Sequence, residues 1–122
     1  MVVALHIERS CAMEVLESQI GNNWVVRIVG RVDSSVAKQL EQKVHDLIAR
    51  DNHIIVDLAA MDYVSSAGLR SFLILAKGAR ANNQRLALCA LRDEIDEIFD
   101  LGGIKELFEI YDDVDTAAAN IA

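Results

Sequence analysis

The residues best placed to do chemistry lie in one run, Met61-Asp62-Tyr63-Val64-Ser65-Ser66-Ala67-Gly68-Leu69-Arg70. Two adjacent serines stand between an apolar stretch and a helical one, where the first amides of a helix lack intrahelical partners. A serine there is a preferred N-cap, worth roughly 1 kcal/mol. The same place also suits a phosphate, because free amides and the positive end of the helix dipole favour its charge. Residue types and spacing alone leave both readings open.

Other chemistry finds little support. A nucleophilic triad needs a base beside the nucleophile and a group that orients the base. The histidines, His6, His45 and His53, lie in an N-terminal stretch, beside a helical stripe and at a strand start, and none sits in a glycine-rich elbow. No histidines and cysteines fall at metal-ligand spacing, so no metal site and no cofactor are expected. Gly102-Gly103 follows a helical segment instead of preceding one, which fits helix termination better than a phosphate loop. Asp57 and Asp62 invite comparison with a phospho-acceptor aspartate of a receiver domain. The acidic pair that would hold magnesium at the end of a first strand is absent from the sequence.

The elements around the serines follow from hydrophobic periodicity. Residues 13–20 and 24–32 read as two strands joined by Gly21-Asn22-Asn23, with Trp24, Val26, Ile28 and Val32 on one face and Arg27 and Arg31 on the other. Ser34 or Ser35 is placed to cap a helix that runs to about Arg50 on the stripe Val36, Leu40, Val44, Leu47, Ile48. The continuous run Ile54-Ile55-Val56-Asp57-Leu58 suits a central strand covered on both faces. A loop over residues 59–65 leads to a helix from Ser66 to about Ala81 with Leu69, Phe72, Leu73 and Ala76 buried, capped by its first serines. Ile74 lies away from that stripe, between Arg70 and Lys77, and is expected to face a partner without supporting the fold. Residues 85–91 form a further apolar strand, residues 93–101 a short acidic helix, residues 107–111 a last strand and residues 114–121 a closing helix. Residues 1–12 read as a leader or an extra strand, and residues 13–122 as one domain. The expected class is α/β, with a mixed sheet, a hairpin followed by parallel βα units, and about four helices.

Composition narrows the partners. The chain has 122 residues, enough for one domain, and 52 % are hydrophobic. Aromatics are 5 %, so the expected core is aliphatic. A net charge of −7 is poorly suited to nucleic acid or an anionic membrane, and neither is expected as a partner. Cys11 and Cys89 are far apart, Cys89 within an apolar run, which fits reduced thiols in the cytoplasm.

The run Tyr63-Val64-Ser65-Ser66-Ala67-Gly68-Leu69 resembles the signature of STAS domains, the family of anti-sigma factor antagonists. Val29-Gly30-Arg31-Val32-Asp33 resembles that family's turn after the second strand, Ile54-Ile55-Val56-Asp57-Leu58 its central strand, and residues 99–108 its C-terminal segment. The resemblance implies a non-enzymatic regulator in the bacterial cytoplasm. Such a regulator binds an anti-sigma factor that is also a serine kinase, is released when phosphorylated, and is restored by a PP2C-type phosphatase. It places the phosphorylated serine at Ser66, with Ser65 as the alternative, and Asp33, Ser65, Ala67, Gly68 and Leu69 in the partner-facing surface. Two positions depart from well-known members: Ser65 stands where they carry aspartate, and Ala67 where they carry a hydroxyl residue. A second reading within the family is a stand-alone subunit of a transport or other signalling complex.

Overall fold

The computed structural model describes residues 6–9, 13–50 and 52–121. Alternation of buried and partly exposed side chains, with Met13, Val15 and the ion-paired Glu17 facing inward, builds a hairpin from β2 (Met13–Ile20) and β3 (Asn23–Val32). The two strands pair antiparallel through a two-residue turn, Gly21-Asn22, in which Gly21 takes the left-handed φ of +61°. β1 (His6–Arg9) pairs antiparallel with β2 at the sheet edge. The rest of the segment expected as leader or extra strand, residues 1–5 and 10–12 with Cys11, lies outside the described residues.

The remaining strands are β4 (Ile54–Asp57), β5 (Met61–Val64), β6 (Leu86–Cys89) and β7 (Glu109–Tyr111). The helices are α1 (Ala37–Ile48), α2 (Ser66–Ala81), α3 (Asp93–Leu101) and α4 (Val114–Ile121), with a 3-10 turn at Lys105–Leu107 before β7. Among the described residues the sheet runs β1-β2-β3-β4-β6-β7, and β5 pairs with β3. The fold is thus a mixed α/β sheet, antiparallel at the hairpin and parallel from β3 onward.

The sheet separates two cores. Val26, Ile28, Ile54, Val56, Leu86 and Leu88 face α1, α2 and α3, while Val25, Ile55, Ala87 and Cys89 face Ala117 and Ile121 of α4. β4 and β6 are adjacent, parallel and buried, as their unbroken apolar runs require. The core is not purely aliphatic, however. Phe72 and Phe99 meet edge-on with ring centroids 5.2 Å apart, and Phe99 lies 6.1 Å from Phe108. Three rings contributed by α2, α3 and the approach to β7 tie those segments together, so placement matters more than aromatic content.

The expected loop at residues 59–65 contains a strand instead. β3 is ten residues long and outlasts β4, with which it pairs only from Trp24 to Arg27. Gly30, at φ +97°, marks a register shift, and beyond it β3 takes β5 as its parallel partner through Arg31↔Tyr63 and Val32↔Val64. Only Met61 and Val64 of β5 are buried, so its sequence carries no period-two signal. Two further expectations shift. α1 begins at Ala37 behind Val36, with no side-chain cap from Ser34 or Ser35, because Asp33 Oδ1 accepts both the Ser35 amide at 3.0 Å and the Ser35 hydroxyl at 2.6 Å. The buried face of α2 is Gly68, Ser71, Phe72, Leu75, Ala76 and Ala79, with Leu69 and Leu73 at its margin.

Candidate functional site

The turn that carries the serines is held from three sides. The Ser65 amide donates to the Val32 carbonyl at 2.8 Å, which fixes the exit of β5 to the end of β3. Ser65 is extended, and its hydroxyl accepts from the Gly68 amide at 3.2 Å. The N-cap of α2 is therefore Ser65 and not Ser66, and the capping hydroxyl is half-buried and occupied. Gly68 is buried. A Cβ there would stand 2.8 Å from both Val32 Cγ1 and Val64 Cγ2, so glycine lets the helix start lie directly on β3 and β5. Ser71, also buried, donates from Oγ to the Ala37 carbonyl at 3.4 Å and joins the second turn of α2 to the start of α1.

Ser66 follows as the first residue of α2 with its side chain exposed. Its own amide and that of Ala67 precede the first helical hydrogen bond, which runs from the Leu69 amide to the Ser65 carbonyl. The hydroxyl is thus presented to solvent at the positive end of a sixteen-residue helix. On the paired strands that lead toward it, the Arg31 guanidinium lies 3.9 Å from the centroid of the Tyr63 ring and pairs with Asp33 at 3.1 Å. The Ser35 hydroxyl and amide, with Arg31 adding to them, hold the Asp33 carboxyl below the usual aspartate range.

Of the expected partner-facing residues, the structure brings Asp33, Ser65, Ser66, Ala67 and Leu69 to one end of the sheet, at the C-terminal ends of β3 and β5. Gly68 shares this place, but it is covered by Val32 and Val64. Ile74 does not belong with them. It is half-buried, packs against the main core, and lines a groove between α1 and α2 with Ile48, Ala49 and Gly78. Helical-wheel reasoning fails here because it counts only contacts to the sheet and omits a neighbouring helix. Ile74→Asp should consequently lower the melting temperature, against the expectation that Ile74 faces a partner without supporting the fold. A carboxylate placed against that apolar wall should cost about 1–3 kcal/mol, or a fall of roughly 5–10 °C. Thermal denaturation followed by circular dichroism checks this; an unchanged midpoint would return Ile74 to the free surface.

Sequence reasoning also missed the contribution of α3. This helix packs against β5, and Arg92, at its N-cap, donates from Nε to the Ala59 carbonyl at 3.0 Å, bracing the loop before β5. Cys89 is fully buried between strands, and burial pushes its thiol up to about 12, so it behaves as an inert core residue. Among the described residues no group of histidine, cysteine and carboxylate side chains could hold a metal ion, and no helix is long and apolar enough to cross a membrane.

The site thus holds one exposed hydroxyl, Ser66, beside one committed to the cap, Ser65. The STAS domain family matches residues 15–117. BtrV of Bordetella bronchiseptica, assigned as an anti-sigma factor antagonist, is 32 % identical over 108 residues, covering 88 % of this chain and 93 % of BtrV. The crystal structure of an anti-sigma factor antagonist from Mycobacterium paratuberculosis superposes with a TM-score of 0.80 at 20 % identity, over 90 % of this chain and 94 % of that one. The phosphorylated form of the Bacillus cell fate determinant SpoIIAA superposes with a TM-score of 0.65 at 18 % identity, over 89 % of this chain and 97 % of SpoIIAA. The chain belongs to the STAS domain family, and its curated relatives are anti-sigma factor antagonists.

Proposed function

We propose that this protein is an anti-sigma factor antagonist switched by phosphorylation of Ser66. Unphosphorylated, it binds a cytoplasmic anti-sigma factor that is also a serine kinase, and so frees a sigma factor. The kinase transfers the γ-phosphoryl group of ATP to Ser66 Oγ, ADP leaves, the hydroxyl proton is lost, and the modified antagonist dissociates. A PP2C-type phosphatase hydrolyses the phosphate and restores binding. The observation that carries this reading is the division of labour between the two serines: Ser65 caps α2 through the Gly68 amide, while Ser66 is exposed at the next position. The similarity to BtrV over nearly its whole length supports the antagonist role, and a related fold solved in a phosphorylated form supports the switch.

Incubation with the anti-sigma kinase of the same organism and labelled ATP tests this directly. The wild-type chain should accept one phosphate, whereas Ser66→Ala should bind the kinase and accept none. Binding without any phosphate incorporation by wild type would overturn the switch, and neither binding nor incorporation would favour the second reading, a subunit of a transport or other signalling complex.

A further inference from the structure

Among the described residues two large apolar side chains are well exposed, Tyr63 at 37 % and Leu101 at 81 %. Both lie at the end of the domain that carries Ser66. Tyr63 precedes it by three residues on β5, and α3, which ends at Leu101, packs against β5. The turn after Leu101 reaches α2 itself, since a Cβ on Gly102 would stand 3.3 Å from Leu69 Cδ1. Exposed apolar residues scattered singly need no explanation. Tyr63, three residues before Ser66, and Leu101, whose following turn meets the half-buried Leu69, instead flank the start of α2.

Size and charge define what fits that surface. A specific protein interface takes about 800 Å² from each partner, more than one turn around Ser66 can supply, so neighbouring elements must contribute. α3 is the element adjoining both β5 and the first turns of α2. It carries Asp93, Glu94, Asp96, Glu97 and Asp100. Lys105 takes up Asp96 at 2.8 Å, while Glu97 and Asp100, on the turn leading to Leu101, stay exposed. An apolar side chain in an acidic surround complements an apolar pocket with a basic rim.

We propose that Leu101 is the apolar anchor of this interface, seated in a pocket of the anti-sigma factor that is rimmed by lysine or arginine side chains. The proposal rests on the antagonist reading above and adds to it a second contact element, remote in sequence from Ser66.

The test titrates wild type, Leu101→Ser, Leu101→Met and Ser66→Asp against the purified anti-sigma factor of the same organism, with the melting temperature of each variant measured alongside. Leu101→Ser should bind roughly tenfold or more weakly, as loss of a central anchor does, at an unchanged melting temperature. Leu101→Met should stay within about threefold of wild type, because its apolar volume is similar. Replacing Glu97 and Asp100 by lysine should slow association at low salt, and the difference should shrink as salt rises. Wild-type affinity in Leu101→Ser, with Ser66→Asp weakened, would overturn the anchor and leave the phosphorylation switch standing. Failure of the wild-type chain to bind would overturn both.

Discussion

Ser66→Asp should fold like wild type and bind the anti-sigma factor two to three orders of magnitude more weakly. A carboxylate at the first position of α2 lies at the positive end of the helix dipole, where negative charge is tolerated or mildly favoured. The cap is unaffected, because Ser65 supplies it through the Gly68 amide. Within a closed interface the same charge loses its water. An uncompensated buried charge costs about 3–5 kcal/mol, and about 1.4 kcal/mol corresponds to a factor of ten in affinity. A phosphate, with roughly −1.5 to −2 charges, should act in the same direction and more strongly. Isothermal titration with thermal melting of the same samples separates the two effects. A Ser66→Asp chain that melts normally and binds like wild type would remove Ser66 from the interface.

Phe99→Ala should be the most damaging core substitution on α3, at about 3–5 kcal/mol, or a fall in melting temperature of roughly 10–20 °C. Phe99 is fully buried and is the middle ring of the chain from Phe72 to Phe108. Its removal leaves a cavity between α2, α3 and the segment entering β7, and breaks two aromatic contacts at once. Because α3 braces the loop before β5, the variant should also loosen the turn that carries Ser66, with faster amide exchange at residues 61–69. Denaturant titration checks the first effect and hydrogen exchange the second. A loss below about 1 kcal/mol would mean that the site relaxes to fill the space.

The readability of this chain followed the strength of its local signals. Ile54 to Leu58 and residues 85–91 were legible as strands because continuous apolar runs of this length suit a strand covered on both faces, and the structure pairs them as β4 and β6. The hairpin was equally plain, since Gly21-Asn22 sits between two alternating segments. β5 was not legible: it is a strand only because β3 is longer than β4 and bends at Gly30 to offer it an edge. The cap of α1 was misjudged for a related reason. Ser34 and Ser35 have the right chemistry, but Asp33 captures Ser35 first. At the site itself, the serine pair was visible in sequence, whereas the assignment of cap to Ser65 and exposure to Ser66 needed coordinates. Ile74 and Leu101 show the same limit from opposite sides. One was expected to leave the fold alone and packs against the main core, while nothing in the sequence set the other apart from the rest of its helix, and it is exposed.

Ser66, and no other residue, is the one we propose to carry the switch. The most direct measurement is fragmentation mass spectrometry of the full chain after incubation with its anti-sigma kinase and ATP, resolving the adjacent serines. A single phosphate on Ser66, absent from Ser66→Ala and retained in Ser65→Ala, is the predicted result. A phosphate on Ser65 in the wild-type chain would contradict the account, because that hydroxyl is the one the fold has already committed to capping α2.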